Sequence, residues 1–377
     1  MTLRVRPIGF NHDRKAFTAL LWRIYDDDPM WIPPLHRMLR DQLDPEKNPF
    51  LQYGTAQLFL AERDGEVVGR ISAHINPVHD ETHNERGGFF GFFESIDDPA
   101  VSQALFESAE NWLAQHNVDW IRGPISFTMN QEIGVLVEGW DTPPVLGMAH
   151  TRDYYPPLIE QAGYRKAKDL YAWSYAVGRL NKRLAALYAR AAAQPGVHIR
   201  TFDRKHLRED IRIAAQIFNE AWADNWGFVP ISEAEADHTA HDFAQFANTC
   251  ATSLIEIDGE PAGMVVGLPD LNYVIRDLDG RLFPLGAIKL KWRLWRGSPR
   301  GRLVLLGVRP KFRRSATASM AALLWGEIHY AGQRCGYRWA ELSWVLEDND
   351  LINKSLSRAG GRIYKRYRLY QKDVAAS

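Results

Sequence analysis

One order of segments occurs twice in this chain, and a duplication of that length calls for two copies of one fold rather than a single large core. Each copy starts with a helical stretch and an aromatic–proline loop. In the first these are Trp22 to Tyr25 and then Trp31, Pro33 and Pro34; in the second they are Ile217 and Phe218 and then Trp226 and Pro230. A tight hairpin is signalled next, at Asp64-Gly65 and at Asp258-Gly259, because Asp-Gly supplies the two positive-φ residues that a two-residue turn needs. An apolar strand, an apolar-periodic helix and a strand bearing Trp120 or Trp339 follow in both. Each copy closes on a helix, a glycine (Gly163 or Gly360) and a basic strand. The Ala-rich stretch 180–193, stopped by Pro195 and Gly196, predicts a linking helix. The expected division is therefore 1–175, a linker over 176–196, and 197–377.

A chain of 377 residues, 46% hydrophobic and 24% charged, is long enough for two such cores. Its two cysteines, Cys250 and Cys335, are too few for a disulfide framework and lack metal-ligand spacing. The start has no apolar signal-like region and no run of eighteen apolar residues occurs, so the expected location is cytoplasmic, in a reducing compartment. The histidines show no metal spacing either; His150 and His329 are expected as satisfied polar side chains, and no metal is expected. Net charge is zero, 46 basic against 46 acidic side chains, yet every charged residue between Asp279 and Glu327 is Lys or Arg. A neutral chain whose basic run matches no recognition motif is not expected to bind nucleic acid.

Within that acid-free interval, the apolar stretch 303–308 runs into Arg309, Pro310, Lys311, Phe312, Arg313 and Arg314, and a long apolar-periodic helix follows. A strand ending in a basic loop ahead of a helix aims backbone N–H groups and the positive end of the helix dipole at one point, which suits a phosphate-bearing ligand. After the helix come a second strand, 339–345, and then Glu347, Asp348 and Asn349 opening a helix that stops at Gly360 and Gly361. This order resembles the GCN5-related N-acetyltransferase (GNAT) superfamily. That superfamily carries R/Q-x-x-G-x-G/A after its fourth strand, matched here by Arg313, Ala316 and Ala318, and an Asn eleven residues before a Gly, matched by Asn349 and Gly360. Two positions depart from it. Ala316 and Ala318 put a Cβ where backbone should approach a pyrophosphate, and Leu356 stands where many members place a Tyr that protonates the leaving thiolate.

The resemblance implies an α/β chain of two tandem GNAT-fold (acyl-CoA N-acyltransferase) domains, each a mixed, mainly antiparallel twisted sheet flanked by helices. It implies an acyl-CoA or acyl-carrier-protein thioester held in the second copy by Gly307, Val308, Arg309, Arg313, Arg314, Ser315, Ala316, Thr317, Ala318 and Asn349. The fourth and fifth strands would splay there to admit pantetheine, with N–H groups near Gly307 and Arg309 as oxyanion contacts. The first copy has Glu94, Asp97 and Asp98 in place of the basic loop, a charge that repels pyrophosphate, so its donor site is expected to be degenerate.

Acyl transfer to an alkylamine also needs a proton acceptor, since such an amine titrates near pH 10. Glu341 is the first candidate, because strand alternation puts Trp339, Glu341 and Ser343 on one face; the alternative is a surface carboxylate or a salt-bridge partner. Glu347 and Asp348 fit helix capping. Among Tyr364, Tyr367 and Tyr370 the pattern selects no acid. Acceptor contacts are expected from Asn219, Trp222, Asn225, Trp226 and Phe228 in the second copy and from Glu132 and Tyr155 in the first. The insert 282–296 mixes Leu, Ile, Phe and Trp with Lys and Arg; as a helix it places Leu285, Ile288, Trp292 and Trp295 on one side with bases beside them, while Leu290 and Leu294 fall off that face. Such a segment suits the surface of an anionic membrane. A lipid amine is the preferred acceptor, and here the resemblance narrows to the bacterial ceramide synthases, which acylate a sphingoid base on this fold. The rival readings are a soluble acetyltransferase of a small amine or amino acid and a non-catalytic acyl-CoA-binding protein.

Overall fold

In a computed structural model, residues 2–11, 13–246, 249–314 and 319–374 are described. The chain forms two compact units. The first comprises Met1–Tyr171, Ile275–Pro284 and Lys365–Ser377, the second Ala172–Val274 and Leu285–Tyr364. Two strands pass from one unit into the other, so each unit takes in chain from the opposite half, an exchange that a linear partition does not contain.

The first unit holds β1 (Leu3–Ile8), β2 (Thr55–Arg63), β3 (Glu66–Ile75), β4 (Gly87–Ser95), β5 (Trp120–Gly123) and β6 (Val135–Glu138). A long strand, β7 (Arg165–Ala176), leaves it, and the second unit adds β8 (Val197–Arg200), β9 (Thr252–Ile257), β10 (Glu260–Pro269), β11 (Arg300–Val308) and β12 (Trp339–Leu346). The last strand, β13 (Arg362–Asp373), returns to the first unit from Lys365 onward. Hydrogen-bonded order is β1-β2-β3-β4-β5-β13 in the first unit, with β6 also on β13, and β12-β11-β10-β9-β8 in the second. Within these two runs pairing is antiparallel apart from β4 with β5 and β11 with β12, the same parallel step in each copy.

The repeated sequence signals become repeated geometry. Asp64 and Gly65 turn at φ 50° and 86° between Arg63 and Glu66, and Asp258 and Gly259 at 52° and 81° between Ile257 and Glu260. Both fit the mirror-image turn that matches strand twist. In the first unit the helix Pro99–Ala114 starts on Asp98, whose carboxylate accepts from Ala100 N at 2.8 Å. It buries Val101, Leu105, Phe106, Ala109 and Leu113 against Val68, Ile71 and Ala73, and a side chain like Phe106 contributes roughly 2–3 kcal/mol when enclosed. In the second unit the helix Leu207–Trp222 packs Ile211, Ala214, Ile217 and Phe218 on Leu254, Met264 and Val266. The linking helix runs over Lys182–Ala192. Its Tyr188 lies so close to Gly326 that any Cβ there would sit 2.1 Å from the ring.

Cys250 and Cys335, assigned from sequence to a reducing compartment, are bonded to each other with Cα atoms 5.6 Å apart. The bond ties the turn before β9 to the end of the helix Met320–Arg334, a proximity that arises only on folding. No helix among the described residues is long and apolar enough to cross a membrane.

Candidate active site

In the second unit the parallel ladder between β11 and β12 runs from Arg300↔Trp339 to Leu303↔Leu342. Among the described residues it goes no further, although β11 stays paired with β10 through Met264↔Gly307 and Gly263↔Val308. Residues 303–306 are accordingly only half-buried, and the two strands part over the stretch where a thioester arm is expected. Gly307 lets the helix Leu207–Trp222 lie close, since a Cβ on it would meet Ala221 and Ile217 at 3.3 and 3.4 Å. Trp222 Nε1 donates to Leu306 O at 3.0 Å, fixing that helix to the opened strand.

The basic loop follows. Arg309 N donates to Ala262 O at 2.9 Å, and its guanidinium lies 3.5 Å from Glu220 and 3.4 Å from Glu260. Lys311 also binds Glu260, and these two cations, Lys311 foremost, hold the Glu260 carboxyl below its usual range. Arg313 donates to Ala221 O at 2.6 Å and Arg314 is exposed. Ser315, Ala316, Thr317 and Ala318 lie outside the described residues. The helix Met320–Arg334 starts with the Ser319 hydroxyl as its cap. Asn349 caps the helix Asp350–Arg358 by accepting from Ile352 N at 3.3 Å, and Leu356 is buried beneath that helix.

Glu341 is fully enclosed. Its Oε1 accepts from Ser343 at 2.5 Å and faces Arg302 Nε at 3.8 Å, while its Oε2 accepts from the Tyr364 hydroxyl. It is not a surface carboxylate; it pairs with Arg302 and accepts from two hydroxyls besides. Trp339 meets the Tyr364 ring edge-on at 5.7 Å. Beside this group, Asp270 is enclosed against Arg300 at 3.1 Å, and Arg300 stacks over Trp339 at 4.2 Å. Burial, opposed by Arg300 and reinforced by the nearby Glu341 charge, pushes the Asp270 carboxyl up to about 6. The sequence pattern singles out neither Arg302 nor Asp270 and leaves Tyr364 unchosen among three tyrosines; only the alternation of β12 points here. Of the three tyrosines left open, Tyr367 and Tyr370 are fully buried and Tyr364 is half-buried.

The expected acceptor residues divide. Asn219 spends both ends of its amide on Ile231, accepting from N at 2.8 Å and donating to O at 2.9 Å. Phe228 belongs to the core with Phe218. Trp222, Asn225 and Trp226 remain half-buried around the turn that Gly227, at φ 67°, permits. In the first unit Glu132 is exposed, its carbonyl accepting from Ser126 N at 2.9 Å. Tyr155 is fully enclosed, with its hydroxyl on Glu94 Oε2 at 2.7 Å. His150 sits on Asp28 at 2.8 Å and His329 on the Tyr175 hydroxyl at 2.8 Å, but His150 Nδ1 and His329 Nε2 are buried without a hydrogen-bond partner, so each ring is satisfied at one nitrogen only.

The insert forms the helix Gly286–Arg296. Leu285, Ile288, Trp292 and Trp295, one side at helical spacing, are between 51% and 82% exposed. Leu290, which looked out of place in that face, is buried on the opposite side, and Arg293 donates to Val274 O at 2.7 Å. The helix thus has an inner apolar face that anchors it and an outer one that nothing among the described residues covers.

No family model matches the chain. The fold is shared by a tandem GNAT protein from the clavulanic acid biosynthesis pathway, 13% identical with a TM-score of 0.56 over 100% of both chains. A GCN5-related N-acetyltransferase from Sphaerobacter thermophilus shares it too, at 16% identity and a TM-score of 0.53 over 98% of this chain and 95% of that one. Parting strands, basic loop and duplication thus define a tandem GNAT-fold protein. In sequence the chain is 39% identical to Protein YghO of Escherichia coli K12, covering 98% of this chain and 95% of that protein. It is 38% identical to a bacterial ceramide synthase of Caulobacter vibrioides, over 98% and 97%. The chain belongs to the family of these two proteins and is an acyltransferase of the GNAT type.

Proposed function

We propose that this enzyme moves an acyl group from acyl-CoA, or from an acyl-carrier thioester, to the amine of a membrane lipid such as a sphingoid base. The outer face of the insert helix carries this reading. A soluble domain seldom leaves four large apolar side chains in one contiguous exposed stripe, and this one is flanked by Lys289, Lys291 and Arg296 in an interval without acids. Apolar burial plus attraction to anionic headgroups would hold the protein on the membrane, where a long-chain amine resides. The relative named as a ceramide synthase supports the same acceptor class. The donor would lie where β11 and β12 part, with Gly307, Val308 and Arg309 beside the thioester, the loop 313–318 on the phosphates and Asn349 at the far side. Trp222, Asn225 and Trp226 would border the acceptor, and Glu341 would receive the amine proton.

The test is sedimentation with vesicles containing anionic lipid, together with acyl transfer to a long-chain amino alcohol. Binding should weaken as salt rises. Trp292→Ser with Trp295→Ser should lower partitioning by on the order of tenfold or more, from lost apolar area. Efficient acetylation of a water-soluble amine, with no vesicle binding at low salt, would replace the lipid acceptor by a small one.

A further inference from the structure

The enclosed position of Glu341 raises a question of access. A carboxylate with no exposed surface cannot touch the acceptor amine, yet two hydroxyls, Tyr364 and Ser343, donate to it. The Ser343 oxygen is itself occupied by Arg302 Nε at 3.3 Å and is buried, whereas the Tyr364 ring reaches the half-buried layer. The chemistry favours the phenol as well. A phenol and an alkylammonium both titrate near pH 10, so a proton passes between them with little driving-force penalty, and an aliphatic hydroxyl has no such match.

Resting on the acyltransferase reading above, we infer that Tyr364 is the catalytic group that touches the acceptor amine, and that Glu341, held by Ser343 and Arg302, is the proton store behind it. An alkylammonium gives one proton to the Tyr364 oxygen while the proton of Tyr364 passes to Glu341 Oε2, which frees the amine lone pair. The nitrogen then forms the C–N bond as the thioester C–S bond breaks, the electron pair leaves on sulfur as a thiolate, and the second N–H proton reaches that thiolate through water. Glu341 releases its proton to water, so the net products are the amide, the free thiol and one proton. Trp339, edge-on to the ring, keeps the phenol aimed at Oε2.

The test compares two acceptors of one chain length: an alkylamine, protonated at neutral pH, and an O-alkylhydroxylamine, already neutral there. Tyr364→Phe preserves the packing on Trp339. It should cut kcat with the alkylamine by on the order of 10²-fold, as loss of a general base does, while both KM values stay within about threefold. With the hydroxylamine the loss should shrink below about tenfold. Glu341→Gln should reproduce this pattern, and the double variant should be no worse than the poorer single one, because the two groups act as a unit. If either variant folds poorly, 3-fluorotyrosine at position 364 retains the hydroxyl, lowers its pKa and should move the alkaline limb of the kcat profile to lower pH, because the relay starts from the protonated phenol. Equal losses with both amines, additive variants or an unmoved profile would overturn the relay and leave the transferase intact. A wild-type enzyme that acylates neither amine from any thioester would overturn the function itself.

Discussion

Both units contain a buried glutamate held by tyrosine, and the two differ in whether anything can reach it. In the first unit Glu94 accepts from Tyr25 at 2.9 Å and Tyr155 at 2.7 Å, with Arg70 at 3.6 Å. Both tyrosines are enclosed, and burial drives their hydroxyls well above, and the Glu94 carboxyl above, their ordinary titration ranges. In the second unit the buried carboxylate lies on a different strand of the repeat, β12 rather than the counterpart of β4, and this one, Glu341, has a half-buried phenol on it. The strands behave likewise. After the parallel ladder of β4 and β5, Ile125 N reaches back to Phe90 O at 2.8 Å, and Phe127 fills the space between Phe50 at 5.1 Å and Phe92 at 4.9 Å. After the ladder of β11 and β12, no such plug occurs among the described residues. One fold thus gives a sealed core in one copy and an openable site in the other, and what separates them is a short loop of aromatic residues and the exposure of one hydroxyl.

The strongest way to break this comparison is to reverse charge on each side. Arg313→Glu with Arg314→Glu should lower coenzyme A affinity by at least about 10²-fold, because charge-assisted contacts to phosphate become repulsion. Asp97→Lys, on the exposed loop of the first unit, should leave it unchanged. Calorimetry on both variants decides: unchanged affinity in the double variant would remove the donor from the second unit.

A pH experiment sharpens the electrostatic side. Burial raises the folded-state pKa of Asp270 to about 6, against 3.8 for an ordinary aspartate, so the folded state holds this proton the more tightly. The stability it contributes is complete below about pH 4 and is lost as pH rises through 6. Wild type should therefore lose about 3 kcal/mol relative to Asp270→Asn between pH 4 and pH 8, measured by urea unfolding. Parallel stability curves would mean that solvent reaches Asp270.

Much of this architecture is legible locally. Asp-Gly pairs dictate both hairpins because the turn depends on two residues alone, and the basic loop and insert helix follow from spacing over a dozen positions. Contacts made across the fold are not legible. The Tyr364 hydroxyl meets Glu341, twenty-three positions earlier in the chain, only in the folded protein, and the inner burial of Leu290 explains an apparent flaw in the insert that periodicity could not resolve. Tyr155 and Phe228, expected from the sequence as acceptor contacts, are core, since an aromatic looks the same in sequence whether it lines a wall or fills one. The exchange of β13 between units likewise leaves no local mark.

The smallest predicted effect is also the one that separates the two tyrosines. Tyr155→Phe removes the donor to Glu94 and the acceptor of Ser95 N at 3.1 Å, leaving a buried carboxylate and a buried N–H each short of a partner. That should cost roughly 1–3 kcal/mol of stability, while kcat of the folded enzyme stays within about twofold, because Tyr155 has no exposed surface from which to meet a substrate. Tyr364→Phe should do the opposite, lowering turnover strongly and stability by less, since its half-buried hydroxyl can be replaced by water on Glu341. Thermal unfolding and single-turnover acyl transfer on the two variants give a crossed pattern if the first unit is scaffold and the second is site. A Tyr155→Phe enzyme that folds normally but turns over slowly would instead place part of the acceptor path in the first unit, and the sealed aromatic plug around Phe127 would then have to open during the reaction.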